Sequence, residues 1–193
     1  MPKSLKKQPK QARSIVMVET LLQATTRIIR KEGLDQLTTN RVAEVAGVSI
    51  GSLYQYFPNK ESLLDALREQ YDAQFMKRMV RAYTGFDGTS LREGLRVFLR
   101  FIVDIHREDP QLHNALAPEI PGEQHQFIME MVRESLEQRR DEIRRPDLEI
   151  AAYIAVEVGE TLVHNTAVHS PERLEDPRFL EEVCDLMERY LLK

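Results

Sequence analysis

At 193 residues, 42% of them hydrophobic, the chain is long enough for one ordinary domain and a smaller one, and its single cysteine rules out an internal disulfide. The longest strongly apolar stretch, Ala151 to Val156, is far too short to span a bilayer. The formal charge of −4 is unevenly divided: residues 1–60 hold ten Lys or Arg against four acids, and the rest holds 17 against 27, so the basic surface that an anionic partner would need is confined to the N-terminal third.

The basic surplus begins at the N-terminus, where Lys3, Lys6, Lys7, Lys10 and Arg13 stand without an acid. Residues 1–13 read as a flexible basic arm. Two roles stay open for it, a solubilising tail or an arm along the DNA backbone or in its minor groove. The polar N-terminus lacks the apolar run of a secretory signal, so a cytoplasmic location is expected. Cys184 lies in a helical pattern and reads as a small packing residue.

Ile15, Val18, Leu22, Thr25 and Ile29 mark one face of a first helix, ended at Gly33. Thr38 and Thr39 can cap a second helix through Val42, Ala43 and Ala46. Gly47 can end it in the left-handed conformation, and Ser49 can cap a third helix, Ile50 to Tyr56. Val48, Leu53 and Phe57 can face a small core. Pro58 stops the third helix, and Asn59 caps the next. Two short helices about a Gly turn form a helix-turn-helix, whose second helix enters the major groove.

Ile50, Ser52, Gln55 and Tyr56 are not needed for that core. Gln55 can pair with adenine, Ser52 can bond either type of base, and Ile50 can pack on a thymine methyl. The hydroxyls of Tyr54 and Tyr56, Lys60 at a helix start, and Thr39 can hold phosphates. Gly51 costs a helix roughly 1 kcal/mol against Ala, which close approach of the backbone to DNA would explain.

The stretch LTTNRVAEVAGVSIGSLYQYFPNKESLL resembles the DNA-binding domain of the TetR family of bacterial one-component regulators. The family pattern is met at Thr39, Ala46, Gly47, Val48, Ser49, Gly51, Leu53, Tyr54, Phe57, Lys60 and Leu63. Tyr56 departs from it, because many relatives carry His there. The likeness is specific over residues 13–65, and beyond that only length and helical layout agree. Carried over by position, it implies DNA contacts at Thr39, Ser49, Ser52, Tyr54, Gln55, Tyr56 and Lys60.

The helix after Asn59 carries Leu64, Leu67, Tyr71 and Phe75 and runs to about Tyr83. Residues 84–89 read as a loop. Ser90 and Glu93 form a capping box for a helix with Leu91, Leu95, Phe98, Ile102 and Ile105 on one face. Asp109-Pro110 opens a short helix to Ala117. After a loop at 118–122, Phe127, Met131, Leu136 and Ile143 lie on a helix ending near Arg145. Pro146-Asp147 opens a helix to about His169, and Asp176-Pro177 opens the last, with Phe179, Val183, Leu186 and Tyr190 in step. The expected fold is all-α, with about nine helices. It comprises an N-terminal three-helix DNA-binding domain with a helix-turn-helix (14–59) and a C-terminal helical ligand-binding and dimerisation domain (60–193).

Helix 147–169 is apolar around much of its circumference, so it needs burial on several sides. Small Ala152, Ala155 and Gly159, with Val183, Met187 and Tyr190 of the last helix, are the expected interface of a homodimer. Dimerisation suits a reader of a two-fold operator, with recognition helices about 34 Å apart. The resemblance implies the same dimer and a small-molecule pocket in the C-terminal domain. Candidate lining residues are Phe98, Ile102, His106, Phe127, Met131, Tyr153, Glu157, Thr161 and His164. Glu160 and His164 are four apart, a spacing that can bind a metal but more commonly stabilises a helix. No metal or cofactor is expected. With no metal cluster, phosphate-binding glycine loop or nucleophile elbow, the chain does not read as an enzyme. The reading is a repressor released from a palindromic operator by a small molecule. The alternative is a DNA-binding regulator without small-molecule sensing, or an activator.

Overall fold

A computed structural model describes residues 12–84, 90–116 and 122–193. Residues 1–11 of the basic arm, Ala117 at the expected end of the short helix, and residues 85–89 and 118–121 of the expected loops at 84–89 and 118–122 lie outside the described residues. Nine α-helices and three short 3-10 turns are present among those described, with one isolated bridge and no named strand. They fall into two compact units, one drawn from Met1–Phe75 with Gln111–Pro118 and the other from Met76–Pro110 with Glu119–Lys193.

The first unit is built on α1 (Ala12–Glu32), α2 (Thr39–Ala46), α3 (Ile50–Tyr54), the first part of α4 (Lys60–Thr84) and α6 (Pro110–Leu116). Helix α1 ends where Gly33 takes φ 88 and its N–H donates to the Ile29 carbonyl at 3.1 Å. Its apolar stripe, Val18, Leu21, Leu22, Ile28 and Ile29, is fully buried against Val42 and Ala43 of α2, Leu53 of α3 and Leu63, Leu64 and Leu67 of α4. Thr25 sits inside this core because its hydroxyl donates to the Leu21 carbonyl, which removes the cost of burying it. Helix α6 closes the core with Leu112 and Leu116, and Tyr71 of α4 meets His113 of α6 hydroxyl to Nδ1 at 2.6 Å.

The second unit packs α5 (Leu91–Glu108), α7 (Gly122–Gln138), α8 (Leu148–His169) and α9 (Pro177–Leu191). Side-chain caps start three of them: Ser90 accepts from the Glu93 N–H, Asp147 from Ile150 and Asp176 from Arg178. Buried residues recur along α8 at Leu148, Ala151, Ala152, Val156, Gly159, Val163 and Ala167, the face turned to the rest of the unit.

Helix α7 ends at Gln138, not near Arg145. Ile143 stays in step with Leu136, so periodicity alone extends the helix. In the fold Ile143 is instead buried in an antiparallel bridge to Leu192. The Arg144 N–H donates to the Leu191 carbonyl at 2.9 Å, and the Lys193 N–H to the Glu142 carbonyl at 3.0 Å. These bonds replace the helical ones that the segment gives up. Among the described residues, no helix is long and apolar enough to cross a membrane.

Candidate nucleic-acid interface

The turn between α2 and α3 follows from four residues. Thr38 Oγ accepts from the Arg41 N–H at 3.1 Å and fixes the start of α2. Gly47 takes φ 68 and ψ 31, a conformation costly for any residue with a Cβ, and the Val48 N–H then returns to the Ala43 carbonyl at 3.0 Å. Ser49 Oγ accepts from the Ser52 N–H at 3.1 Å and meets Ser52 Oγ at 2.8 Å, which starts α3. Helix α3 is shorter than expected. It closes at Tyr54, and the N–H groups of Tyr56 and Phe57 both turn back to the Leu53 carbonyl. Leu53 and Phe57, both fully buried, anchor it.

Gly51, Tyr54 and Gln55 face solvent, with Tyr54 44% exposed. Ser49 is exposed and Thr39 and Ser52 half-buried, and Thr39 Oγ1 lies 3.2 Å from Tyr54 Oη. Ile50, the first residue of α3, and Tyr56, just past its end, differ from expectation, because both pack in part against the core. Asn59 Oδ1 accepts from the Ser62 N–H at 2.8 Å and caps α4, leaving Lys60 as its first residue.

Arg41 is the residue that sequence reasoning missed. Its guanidinium grips Glu32 at the end of α1 through two bonds of 3.1 and 2.8 Å, and reaches Glu44 at 2.8 Å. This contact holds the Glu32 carboxyl below the usual carboxylate range. Glu44, three residues on, was the only local signal; the partner on α1 has none.

The candidate ligand residues are dispersed. Ile102, His106 and Met131 are buried, Phe98, Glu157 and His164 are half-buried, and Phe127, Tyr153 and Thr161 face solvent. His106 donates its Nδ1 proton to the Ile102 carbonyl at 2.8 Å, and burial lowers its proton affinity. Its ring meets that of His164 edge-on, centroids 5.8 Å apart. Glu157 accepts from His125 Nε2 at 2.9 Å. Burial pushes Glu160 up to about 7, with Glu157 adding to the shift and His125 opposing it.

The residues expected at a dimer interface lie largely inside their own chain. Ala152, Gly159, Val183 and Met187 are buried within their own chain, and Ala155 and Tyr190 partly so. A Cβ on Gly159 would stand 3.7 Å from Leu99 and 3.8 Å from Met187. The small residues of α8 thus let it approach α5 and α9 of the same chain. The outward side of α8 carries Ile150, Tyr153, Val158 and Val168, and α9 adds Leu186. An open groove of about 700 Å³ runs there, past Val158, Thr161, Asn165 and Leu186.

Residues 21–67 match the family of bacterial regulatory proteins called tetR, and residues 90–191, more than half the chain, match the tetracyclin repressor-like C-terminal domain. The chain belongs to the TetR family. It is a TetR-family DNA-binding regulator. It is 27% identical over 117 residues to the nucleoid occlusion factor SlmA of Pasteurella multocida, covering 60% of this chain and 55% of that protein. The chain spans about half the length of the curated relatives it matches. A TetR-family regulator from Streptomyces coelicolor superposes with TM-score 0.65 at 27% identity, over 92% of this chain and 97% of the other. SmeT, the repressor of the Stenotrophomonas maltophilia multidrug efflux pump SmeDEF, gives 0.67 at 23% identity over 91% and 90%.

Proposed function

We propose that this TetR-family regulator is a homodimeric repressor that a small molecule releases from a palindromic operator. The exposed edge of α3, with Tyr54 and Gln55 standing out from a buried Leu53, is the observation that carries operator reading. The apolar outer side of α8, with Leu186 of α9, is the face we assign to the second copy. Isolated exposed apolar residues are ordinary, but here they recur along one helix. SmeT, which shares the fold, is a repressor and has been solved with triclosan. Effector release follows from linkage: a ligand that prefers a dimer with mis-spaced recognition helices weakens operator binding, by no more than its differential affinity for the two states. We assign the movement to α4.

A regulator without small-molecule sensing is the second reading. The burial of Ile102, His106 and Met131 within a packed unit favours it.

The test is selection of duplexes from a randomised pool at fixed salt, followed by titration of small molecules into the complex. A two-fold symmetric motif, bound by a dimer and released by one compound class, supports the proposal. Sequence-blind, salt-sensitive binding removes operator reading. A specific complex that no compound class releases supports the second reading.

A further inference from the structure

We propose that His106 of α5 and His164 of α8 hold a divalent transition-metal ion, and that this ion is the effector. The inference deepens the effector-release reading above by naming the effector's chemical class, and it rests on that reading for the effector role alone.

Sequence spacing could pair His164 only with Glu160 on its own helix. The fold brings it a second imidazole from α5. The two rings meet edge-on at 74°, with centroids 5.8 Å apart and a ring nitrogen of each within 4.8 Å of the other. One buried cluster sets both backbones, because Ile102 and Val103 of α5 pack there with Val163 and Ala167 of α8. The His106 Nδ1–H donates to the Ile102 carbonyl at 2.8 Å, which places the ring's lone pair on Nε2. A backbone carbonyl commonly fixes the tautomer and orientation of a metal-ligating histidine in this way.

Tetrahedral coordination at about 2.0–2.1 Å sets two imidazole nitrogens roughly 3.4 Å apart. A side-chain adjustment on the order of an ångström therefore closes the pair on one ion. Imidazole ligands suit Zn2+, Cu2+ or Ni2+, whereas Mg2+ and Ca2+ take oxygen. His106 is only 6% exposed and His164 is half-buried, so His164 gives the ion its way in and water fills the remaining positions.

The test uses the metal-free full chain without a histidine tag. Zn2+ and Co2+ are titrated into wild type, His106→Gln, His164→Gln and His169→Gln, read by calorimetry and by the visible absorption of bound Co2+. One ion per chain is expected, with Mg2+ giving no signal. His106→Gln and His164→Gln should each weaken Zn2+ binding by at least roughly tenfold, and the exposed His169→Gln should leave it unchanged. Melts without metal check the fold, and His164→Gln decides the matter should the buried His106 variant unfold. Zn2+ should raise the melting temperature of wild type but not of His164→Gln. No binding, or equal binding by wild type and His164→Gln, would overturn the site. Zn2+ is then added to the complex with the selected duplex, where release of wild type but not of His164→Gln is expected. An ion held by the two histidines with duplex affinity unchanged would overturn the effector role. A chain that selects no duplex would overturn the repressor reading, while the absorption and melting data would still decide the site.

Discussion

Arg145 closes over Tyr190: its guanidinium carbon lies 4.3 Å from the ring centroid, and its Nε donates to the Tyr190 carbonyl at 2.7 Å. Arg144 reaches the Arg189 carbonyl at 3.3 Å. Both arginines thereby satisfy carbonyls of the last turn of α9 that have no partner within the helix. Arg145→Ala should cost about 1–2 kcal/mol, through the lost ring contact and the freed carbonyl. The melting temperature should fall by several degrees, and an unchanged melting curve would count against the clasp.

Gly159 sits where an alanine methyl would make ordinary contacts with Leu99 and Met187. Gly159→Ala should therefore stabilise the chain by about 0.5–1 kcal/mol, because a glycine inside a helix carries excess unfolded-state entropy. Gly159→Leu should destabilise it by about 1–3 kcal/mol through overpacking. If Gly159 instead lies at a dimer face, the larger residue will change the association constant and leave monomer stability alone. Denaturant melts beside sedimentation equilibrium separate the two outcomes.

The same glycine marks the limit of what the sequence could tell. Ala152, Ala155 and Gly159 form a stripe that permits close helix contact, but the stripe does not name the neighbour, and within this chain it is α5 and α9. Local signals did better. Thr38, Gly47, Ser49, Asn59, Ser90, Asp147 and Asp176 act on backbone groups within a few residues, and each is found at the turn or cap expected of it. Arg41 pairs with Glu32 on a different helix, and Ile143 with Leu192 near the end of the chain, contacts that the periodicity of one helix cannot report.

Glu160 should give the stability curve a slope at mildly acidic pH. Its folded value of about 7 stands above the ordinary 4.5, so the folded state holds more protons between these values. Stability then falls as pH rises from about 4.5 to 7 and levels off above. Glu160→Gln should remove that slope and raise stability at alkaline pH by about 1 kcal/mol once solvent screening is allowed for. Paired urea melts on either side of the window check it, and parallel curves for the two proteins would sink the assignment.

Gln55 and Lys60 should fail in different ways. Gln55 stands exposed beyond the end of α3, so Gln55→Ala should relax base preference at one position of each half-site by about 1–3 kcal/mol. Lys60→Ala should weaken all sequences alike and lower the salt slope by about one ion. Affinities for a panel of single-substitution duplexes at two salt concentrations distinguish these patterns. A Lys60 variant with altered base preference would contradict its role as a phosphate contact.

Gly51 separates stability from function most sharply. It lies inside α3, and a Cβ there would meet only Ser49 Oγ, at 3.8 Å. Nothing among the described residues needs the glycine, since its φ is not in the left-handed region and the space is open. Gly51→Ala should thus stabilise the fold by about 0.5–1 kcal/mol. If the glycine lets the backbone of α3 approach DNA, the same variant should bind the selected duplex more weakly, and Gly51→Val more weakly still. A rise in melting temperature with a loss of affinity is the expected pair. A stabilised variant with full affinity would mean that DNA does not approach Gly51, and the docking surface would have to shift toward Ser52 and Gln55.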